Sequence, residues 1–175
     1  MEYRDLYDEN RIPTGEKIEK SEPVPAGRFY VTVAVFMQNS KNEFLMQRRS
    51  KEKGGKWATT GGHPKSGETS LQGIVTEIKE ELGIDVDPKN LIFYHTIKTT
   101  KDFVDFYYLN QDFDLKDLTL QKEEVQDARW FTIEEIEDLI KKDDFFKSHI
   151  DYIKNCLEFL SKNKKLPAQI SKQFF

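Results

Sequence analysis

Between Gly62 and Ile84 the chain reads GHPKSGETSLQGIVTEIKEELGI. Four carboxylates, Glu68, Glu77, Glu80 and Glu81, stand on or beside a stretch that the sequence predicts as one short helix. Thr69 is a good N-cap, and Gln72 three residues on completes a capping box. Gly83 supplies the C-terminal stop, with Pro88 shortly beyond. Leu71, Ile74, Val75, Ile78 and Leu82 form an apolar stripe at helical spacing. The mean direction of Glu77, Glu80 and Glu81 lies roughly 120° from the centre of that stripe. Positions three and four apart are neighbours on a helix, so these carboxylates crowd one another. A run of Glu is ordinarily a solvated face. Here Glu68 closes a glycine-bearing loop at the helix start, and a hard divalent cation would relieve the repulsion. Ligands that are all oxygen favour Mg²⁺ or Mn²⁺ over zinc.

Six identities carry the pattern: Gly62, Glu68, Glu77, Glu80, Glu81 and Gly83, with Ile78 and Ile84 as apolar partners. At ordinary residue frequencies such a register arises by chance on the order of 10⁻⁷ per starting position. The segment resembles the signature of the Nudix hydrolases, which runs Gly, five residues, Glu, seven residues, Arg-Glu, apolar, any, Glu-Glu, any, Gly, apolar. One element departs: the family's Arg, which helps hold a catalytic Glu in position, is Thr76 here. That departure bears on the rate and leaves the metal ligands in place. The resemblance continues more weakly from about Asp5 to about Leu139.

The resemblance implies a Mg²⁺- or Mn²⁺-dependent pyrophosphohydrolase acting on a nucleoside diphosphate linked to another group. In that reading Glu77, Glu80 and Glu81 hold the metal, Glu68 supports them, and the Gly62 carbonyl contributes. A bound divalent cation neutralises phosphate oxygens and acidifies a water, and a spare carboxylate takes the proton. Family members differ in the base, some using a box Glu such as Glu77 or Glu80 and others a Glu from a later loop. Glu124, in LQKEEV, is the remote candidate here, with Glu123 beside it. The substrate's charge needs opposing cations. Arg48 and Arg49 end a strand on which side chains alternate, so one of the two faces the pocket. Arg suits bidentate phosphate contact. Arg49 matches the family position better, with Lys53 next. Trp57 either stacks on a base or plugs the core, and core packing is the simpler reading. Phe29, Tyr94, Phe106 and Tyr108 read as core aromatics that would otherwise line a base pocket.

DLYDEN (Asp5–Asn10), QRRS (Gln47–Ser50) and WATTGGHPKSGE (Trp57–Glu68) are similar to the isopentenyl-diphosphate isomerase branch of the same superfamily. That branch uses a Cys directly before the Gly-His-Pro that corresponds to Gly62-His63-Pro64. Gly61 occupies that position here, and Cys156 lies far off in a C-terminal helix. The combination implies isomerase-like ancestry with hydrolase chemistry. Two further readings stay open: a nucleotide-binding sensor without turnover, given Thr76, and an isomerase. His63 is either a metal ligand, as in the isomerases, or a loop residue. His95 and His149 have no motif and read as structural or exposed.

The elements that must position these groups alternate in type. Residues 1–27, polar with Pro13, Pro23 and Pro25, read as a mostly irregular arm that covers the pocket or mediates a homodimer. Phe29–Gln38 is a β-rich run, Asn39–Glu43 a turn, and Phe44–Arg49 its expected hairpin partner. Leu91–Ile97, Phe103–Leu109 and Val125–Phe131 read as strands. Thr132 with Glu135 opens a second helix through a capping box, and a last helix covers roughly Phe146–Leu160. The order is that of a mixed sheet packed between helices. The Nudix resemblance makes it an α/β/α sandwich, with an arm over 1–27, the main domain over 28–142, and a C-terminal helix and tail over 143–175 packed on the same domain.

A chain of 175 residues suffices for one domain with a sizeable core. Its charge, 27 basic against 31 acidic residues, is −4, which argues against general nucleic-acid affinity. The single cysteine excludes an internal disulfide and reads as a packed thiol in a reducing compartment. No signal sequence or apolar run of membrane length is evident, so a soluble, cytoplasmic protein without membrane contact is expected. The partner is a small molecule. A nucleoside triphosphate, ADP-ribose, a sugar nucleotide, a dinucleotide, a cofactor and a capped RNA end all satisfy the pattern.

Overall fold

The computed structural model describes residues 1–163. The tail from residue 164 onward, Phe174 and Phe175 included, lies outside the described residues. The expected box helix is α1 (Ser70–Leu82), with Thr69 as N-cap and both arms of the capping box formed with Gln72. Gly83 closes it in the left-handed region at φ 74°. Thr132 and Glu135 cap α2 (Ile133–Lys141) in the same way. The last helix, α3, spans His149–Lys162.

The N-terminal arm differs from expectation. Tyr3–Tyr7 (β1) and Pro13–Glu19 (β2) pair antiparallel as a separate two-stranded sheet. Its inner face buries Leu6, while its outer face is polar, so the period-2 signal is faint. Pro13 stands at the first residue of β2, where the missing N–H costs no ladder bond. At the turn the Asp8 carboxylate accepts from Asn10 N–H and Ile12 N–H. Arg11 reaches from this turn to the main sheet and pairs with Asp105.

The main sheet contains β3 (Tyr30–Gln38), β4 (Phe44–Arg49), β5 (Trp57–Ala58), β6 (Thr60–Gly62), β7 (Ile92–Lys98), β8 (Asp102–Asn110) and β9 (Val125–Phe131). The path runs β5-β4-β3-β8-β7, with β6 added to β3 and β9 to β4. β3 and β8 are parallel over nine registered pairs. The expected β3–β4 hairpin is confined to its base, at Gln38 opposite Phe44. Beyond that pair the two strands part. β4 pairs with β9 and with β5, while β3 pairs with β6 and β8. The chain therefore crosses from one arm of a fork to the other between Ala58 and Thr60. The candidate site lies in this fork.

β3 is buried almost throughout, as a central strand covered on both faces should be. Val31, Val33, Val35 and Met37 face α1 and pack with Ile74, Ile78 and Leu82. Phe36 faces the other way, with Phe44, Met46, Trp57, Ile136 and the α3 residues Ile153, Leu157 and Leu160. Ala34 shares that side with Phe106 and Tyr152. Helices thus cover both faces, and the expected α/β/α sandwich with a mixed sheet holds. Trp57 is core, as are Phe106 and Tyr108. Cys156 is a buried free thiol, whose pKa burial pushes up. Among the described residues no helix is long and apolar enough to cross a membrane.

Candidate active site

The fork and the polar side of α1 enclose a cavity of about 260 Å³. Glu77, Glu80 and Glu81 line it from α1, Gly62 from β6, and Glu124 from the loop before β9. Arg49 and Lys53 line it from the end of β4 and the loop that follows. Residues from four separate stretches of sequence therefore meet at one place.

Each carboxylate has a distinct environment. Glu77 Oε1 accepts from His63 N–H at 2.9 Å. It can approach because residue 62 is glycine: a Cβ there would lie 2.1 Å from that oxygen. Glu81 Oε2 accepts from Gln47 Nε2 at 2.8 Å. Glu80 is half-exposed and pairs with Lys65. Glu124 pairs with Lys53 at 3.1 Å. Burial pushes the Glu77 carboxyl up to about 7, against the pull of the His63 N–H and of Lys20. Burial likewise pushes Glu81 up to about 8, with the charges of Glu77 and Glu124 adding to the rise and Gln47 opposing it. Two buried acids side by side, held without a full countercharge, are what a hard cation would stabilise. The donor set of Glu77, Glu80 and Glu81, with Gly62 lining the same cavity, fits Mg²⁺ or Mn²⁺ by its oxygen chemistry. Among the described residues no three acidic, His or Cys side chains converge as a ready cage, and each of these carboxylates is engaged by a protein donor.

Two expected residues are not brought to the cavity. Glu68, expected as a supporting ligand, does not line it. One oxygen accepts from Lys65 N–H and the other from the Thr76 hydroxyl, at 2.9 and 2.8 Å. It ties the loop to the helix. Arg48, the alternative to Arg49, points the other way, pairing with Asp144 at 3.2 Å and lying over Trp57. Strand alternation sends Arg49 to the cavity, where its guanidinium stands 4.5 Å from the Phe146 ring centre. Glu123 does not line the cavity, and His95 is exposed.

Several lining residues were not expected. Glu2 and Lys20, paired at 3.0 Å, come from the two ends of the N-terminal hairpin. Gln47 lies two positions before Arg49 and so shares its face. That signal was present in the strand period. Gln121 donates its N–H to the Glu81 carbonyl at 3.1 Å. His149 and Tyr152, from the start of α3, also line the cavity. His149 Nδ1 accepts from Thr59 N–H at 3.2 Å, and burial holds its pKa down at about 3, so the ring is neutral.

The hairpin also steadies the loop between β6 and α1. Asp5 accepts from the Ser66 hydroxyl at 2.6 Å and from Gly67 N–H at 2.9 Å. Ser66 N–H donates to the Tyr3 carbonyl at 2.7 Å. Arg4 stacks over Tyr30, which in turn lies against His63.

Comparison with known proteins places the chain in a family. Residues 28–155 match the model of the NUDIX domain. An uncharacterised Nudix hydrolase of Listeria monocytogenes is 37% identical over 150 residues, covering 83% of this chain and 88% of that protein. An isopentenyl-diphosphate Δ-isomerase of Pectobacterium atrosepticum is 39% identical over 83 residues, covering 45% of this chain and 46% of the isomerase. In fold, the chain resembles the crystal structure of DR0079 from Deinococcus radiodurans, with a TM-score of 0.70 and 23% identity over 87% of this chain and 96% of that one. By that domain match and by the identity to the Listeria protein, the chain belongs to the Nudix hydrolase family.

Proposed function

We propose that the protein is a divalent-metal-dependent pyrophosphohydrolase that cleaves a nucleoside diphosphate linked to a second group, by attack of water at phosphorus. The observation that carries this reading is the opposition of Glu77, Glu80, Glu81 and Glu124 to Arg49, Lys53 and Lys20 around one cavity. Mg²⁺ or Mn²⁺, when bound, supplies charge neutralisation of the diphosphate and acidification of water. Glu77, Glu80 and Glu81 hold it. Arg49 and Lys53 orient the phosphates. Glu124 takes the proton of the attacking water once substrate phosphate draws Lys53 away.

The isomerase reading is disfavoured at Gly61. A Cβ there would lie 2.3 Å from the Val33 carbonyl oxygen and 3.0 Å from the Ala34 Cα. No thiol-bearing side chain fits without moving β3. A sensor without turnover would gain little from three crowded carboxylates, which are costly without a cation.

The test is product release from nucleoside-diphosphate compounds with and without Mg²⁺ or Mn²⁺, in the wild type and in Glu80→Gln. Metal-dependent cleavage that falls at least a hundredfold in a folded Glu80→Gln supports the reading. Unchanged turnover in that variant overturns the site.

A further inference from the structure

The hairpin of β1 and β2 precedes the residues that match the NUDIX domain, which begin at residue 28. It is nevertheless built onto the loop His63–Glu68 that joins β6 to α1. Every N–H from His63 to Glu68 has an acceptor, Pro64 having no N–H to place. His63 donates to Glu77 at 2.9 Å, Lys65 to the Glu68 carboxylate at 2.9 Å, and Glu68 to the Lys65 carbonyl at 2.9 Å. The remaining donors, Ser66 and Gly67, go to the hairpin. Ser66 N–H meets the Tyr3 carbonyl at 2.7 Å, and Gly67 N–H meets Asp5 Oδ2 at 2.9 Å. The Ser66 hydroxyl donates to the other Asp5 oxygen at 2.6 Å. One half-buried carboxylate thus closes the turn in which Gly67 stands at φ 90°.

The loop is clamped between two bodies. On one side Pro64 packs so closely on α1 that a Cβ at Gly73 would lie 2.6 Å from its Cγ, and the Glu68–Thr76 bond ties the end of the loop to the helix. On the other side stands the hairpin, itself anchored on the main sheet. Its Leu6 is buried, Tyr7 and Phe29 exchange backbone hydrogen bonds at 2.7 and 2.9 Å, and Arg11 grips Asp105 with both terminal nitrogens. A carboxylate on so firm a support can hold a loop in place. The loop in turn touches the cavity-facing acids: His63 N–H holds Glu77, and Lys65 pairs with Glu80.

We propose that Asp5 is a positioning residue for the candidate metal site: from the hairpin it fixes the loop, and through the loop it sets Glu77 and Glu80 for a divalent cation. This rests on the metal-dependent reading above. Asp5 does not line the cavity, so its effect passes through hydrogen bonds and not through its charge. Asparagine preserves those bonds. Its Oδ1 accepts from Gly67 N–H, and its Nδ2 donates to the Ser66 hydroxyl, which can accept as well as donate. Alanine removes both.

The experiment titrates Mn²⁺ into the full chain and follows the electron paramagnetic resonance signal of the free ion, with the metal-free melting temperature of each variant beside it. Asp5→Ala should weaken Mn²⁺ binding at least tenfold, the lower end of the range of about 10–100-fold for loss of a group that orients a metal ligand. Asp5→Asn should stay within about threefold of wild type on the same scale. Glu16→Gln, which breaks the exposed pair with Arg28 in the same hairpin, should leave the affinity unchanged. A brace that serves stability alone would lower the melting temperature of Asp5→Ala and leave its Mn²⁺ affinity at the wild-type value, which overturns the proposal. Equal losses in Asp5→Ala and Asp5→Asn also overturn it, since charge rather than hydrogen bonding would then be at work. Either result leaves the hydrolase reading standing, whereas no Mn²⁺ binding by the folded wild type overturns both. If Asp5→Ala does not fold, Ser66→Ala decides in its place, because it cuts one bond to Asp5 from the loop side. Binding weaker by about threefold or more then supports the proposal, and unchanged binding overturns it.

Discussion

Gly61 and Gly62 are adjacent in β6, and an added methyl should do opposite things at the two positions. Neither has positive φ, so the backbone itself tolerates alanine. At Gly61 the methyl meets the backbone of β3, 2.3 Å from the Val33 oxygen. That oxygen cannot yield, because β3 is locked to β8 over nine pairs. Overpacking of this kind costs about 1–3 kcal/mol, and relief requires pulling β6 off β3, so about 3 kcal/mol is expected. At Gly62 the methyl meets only the end of the Glu77 side chain, with Oε1 at 2.1 Å. The carboxylate swings away and loses the His63 N–H, a loss of about 1–3 kcal/mol. The methyl returns about 0.4–1 kcal/mol by restricting the unfolded chain. At about 2–4 °C per kcal/mol, Gly61→Ala should melt about 6–12 °C lower and Gly62→Ala between wild type and about 10 °C lower. Activity should follow the other order. With Glu77 in its proposed role as a metal ligand, displacing its carboxylate by an ångström or more removes about 2–3 kcal/mol of transition-state stabilisation, so Gly62→Ala should lose about 30–150-fold in kcat/KM. The assay is thermal unfolding by circular dichroism beside steady-state turnover at saturating Mn²⁺. Wild-type turnover in Gly62→Ala, or a wild-type melting point in Gly61→Ala, would refute the reasoning.

Three further outcomes are expected. Glu124→Gln should lower kcat by about 10²–10⁴, the range for general base catalysis, with a melting point near wild type because its ion pair with Lys53 is partly exposed; steady-state kinetics and a melt check both halves. Thr76→Val removes the hydroxyl that holds Glu68 and should cost about 1 kcal/mol together with a several-fold loss of turnover, measured by denaturant unfolding and kinetics. His149 has a folded pKa of about 3, below the unfolded value near 6.5, so its contribution is intact above pH 6.5 and is lost as pH falls. The limiting slope is about 1.4 kcal/mol per pH unit between those values. Comparison with His149→Gln isolates it from Glu77 and Glu81, whose raised values act in the opposite sense; equal pH slopes in the two proteins would refute the assignment.

The parts of the fold that were legible in the sequence are those whose signal is local. A cap, an apolar stripe and a terminal glycine lie within fifteen residues of one another in α1, and β3, β8 and β9 are long β-rich runs. The N-terminal hairpin was not legible because only one of its faces is covered, and its polar outer face hides the strand period. The fork was not legible for a different reason. Phe44–Arg49 reads as a hairpin partner of β3 by proximity, yet most of its ladder is made with β9, some eighty residues away. Pairing at that distance leaves no mark in a local window. The same holds for the site. Glu77, Glu80, Glu81 and Gly62 are carried by one short stretch and could be read together. Lys20, Glu2, His149 and Tyr152 reach the cavity only because the hairpin and α3 close over it.

Glu68 and Thr76 show how two apparent departures can be one fact. The sequence pattern put Glu68 among the carboxylates that serve a cation, and it put Thr76 where the family carries an arginine. In the structure the Thr76 hydroxyl and the Lys65 N–H occupy the two oxygens of Glu68. A carboxylate held in this way is a strut between the loop His63–Glu68 and the first turns of α1. The strut sets the loop whose His63 N–H holds Glu77 and whose Lys65 meets Glu80. A short hydroxyl suffices because Glu68 itself spans the gap and needs only a donor at the far end. The cavity-facing carboxylates are thereby positioned without the arginine, and the four-carboxylate cluster of the sequence resolves into three that face the cavity and one that braces them.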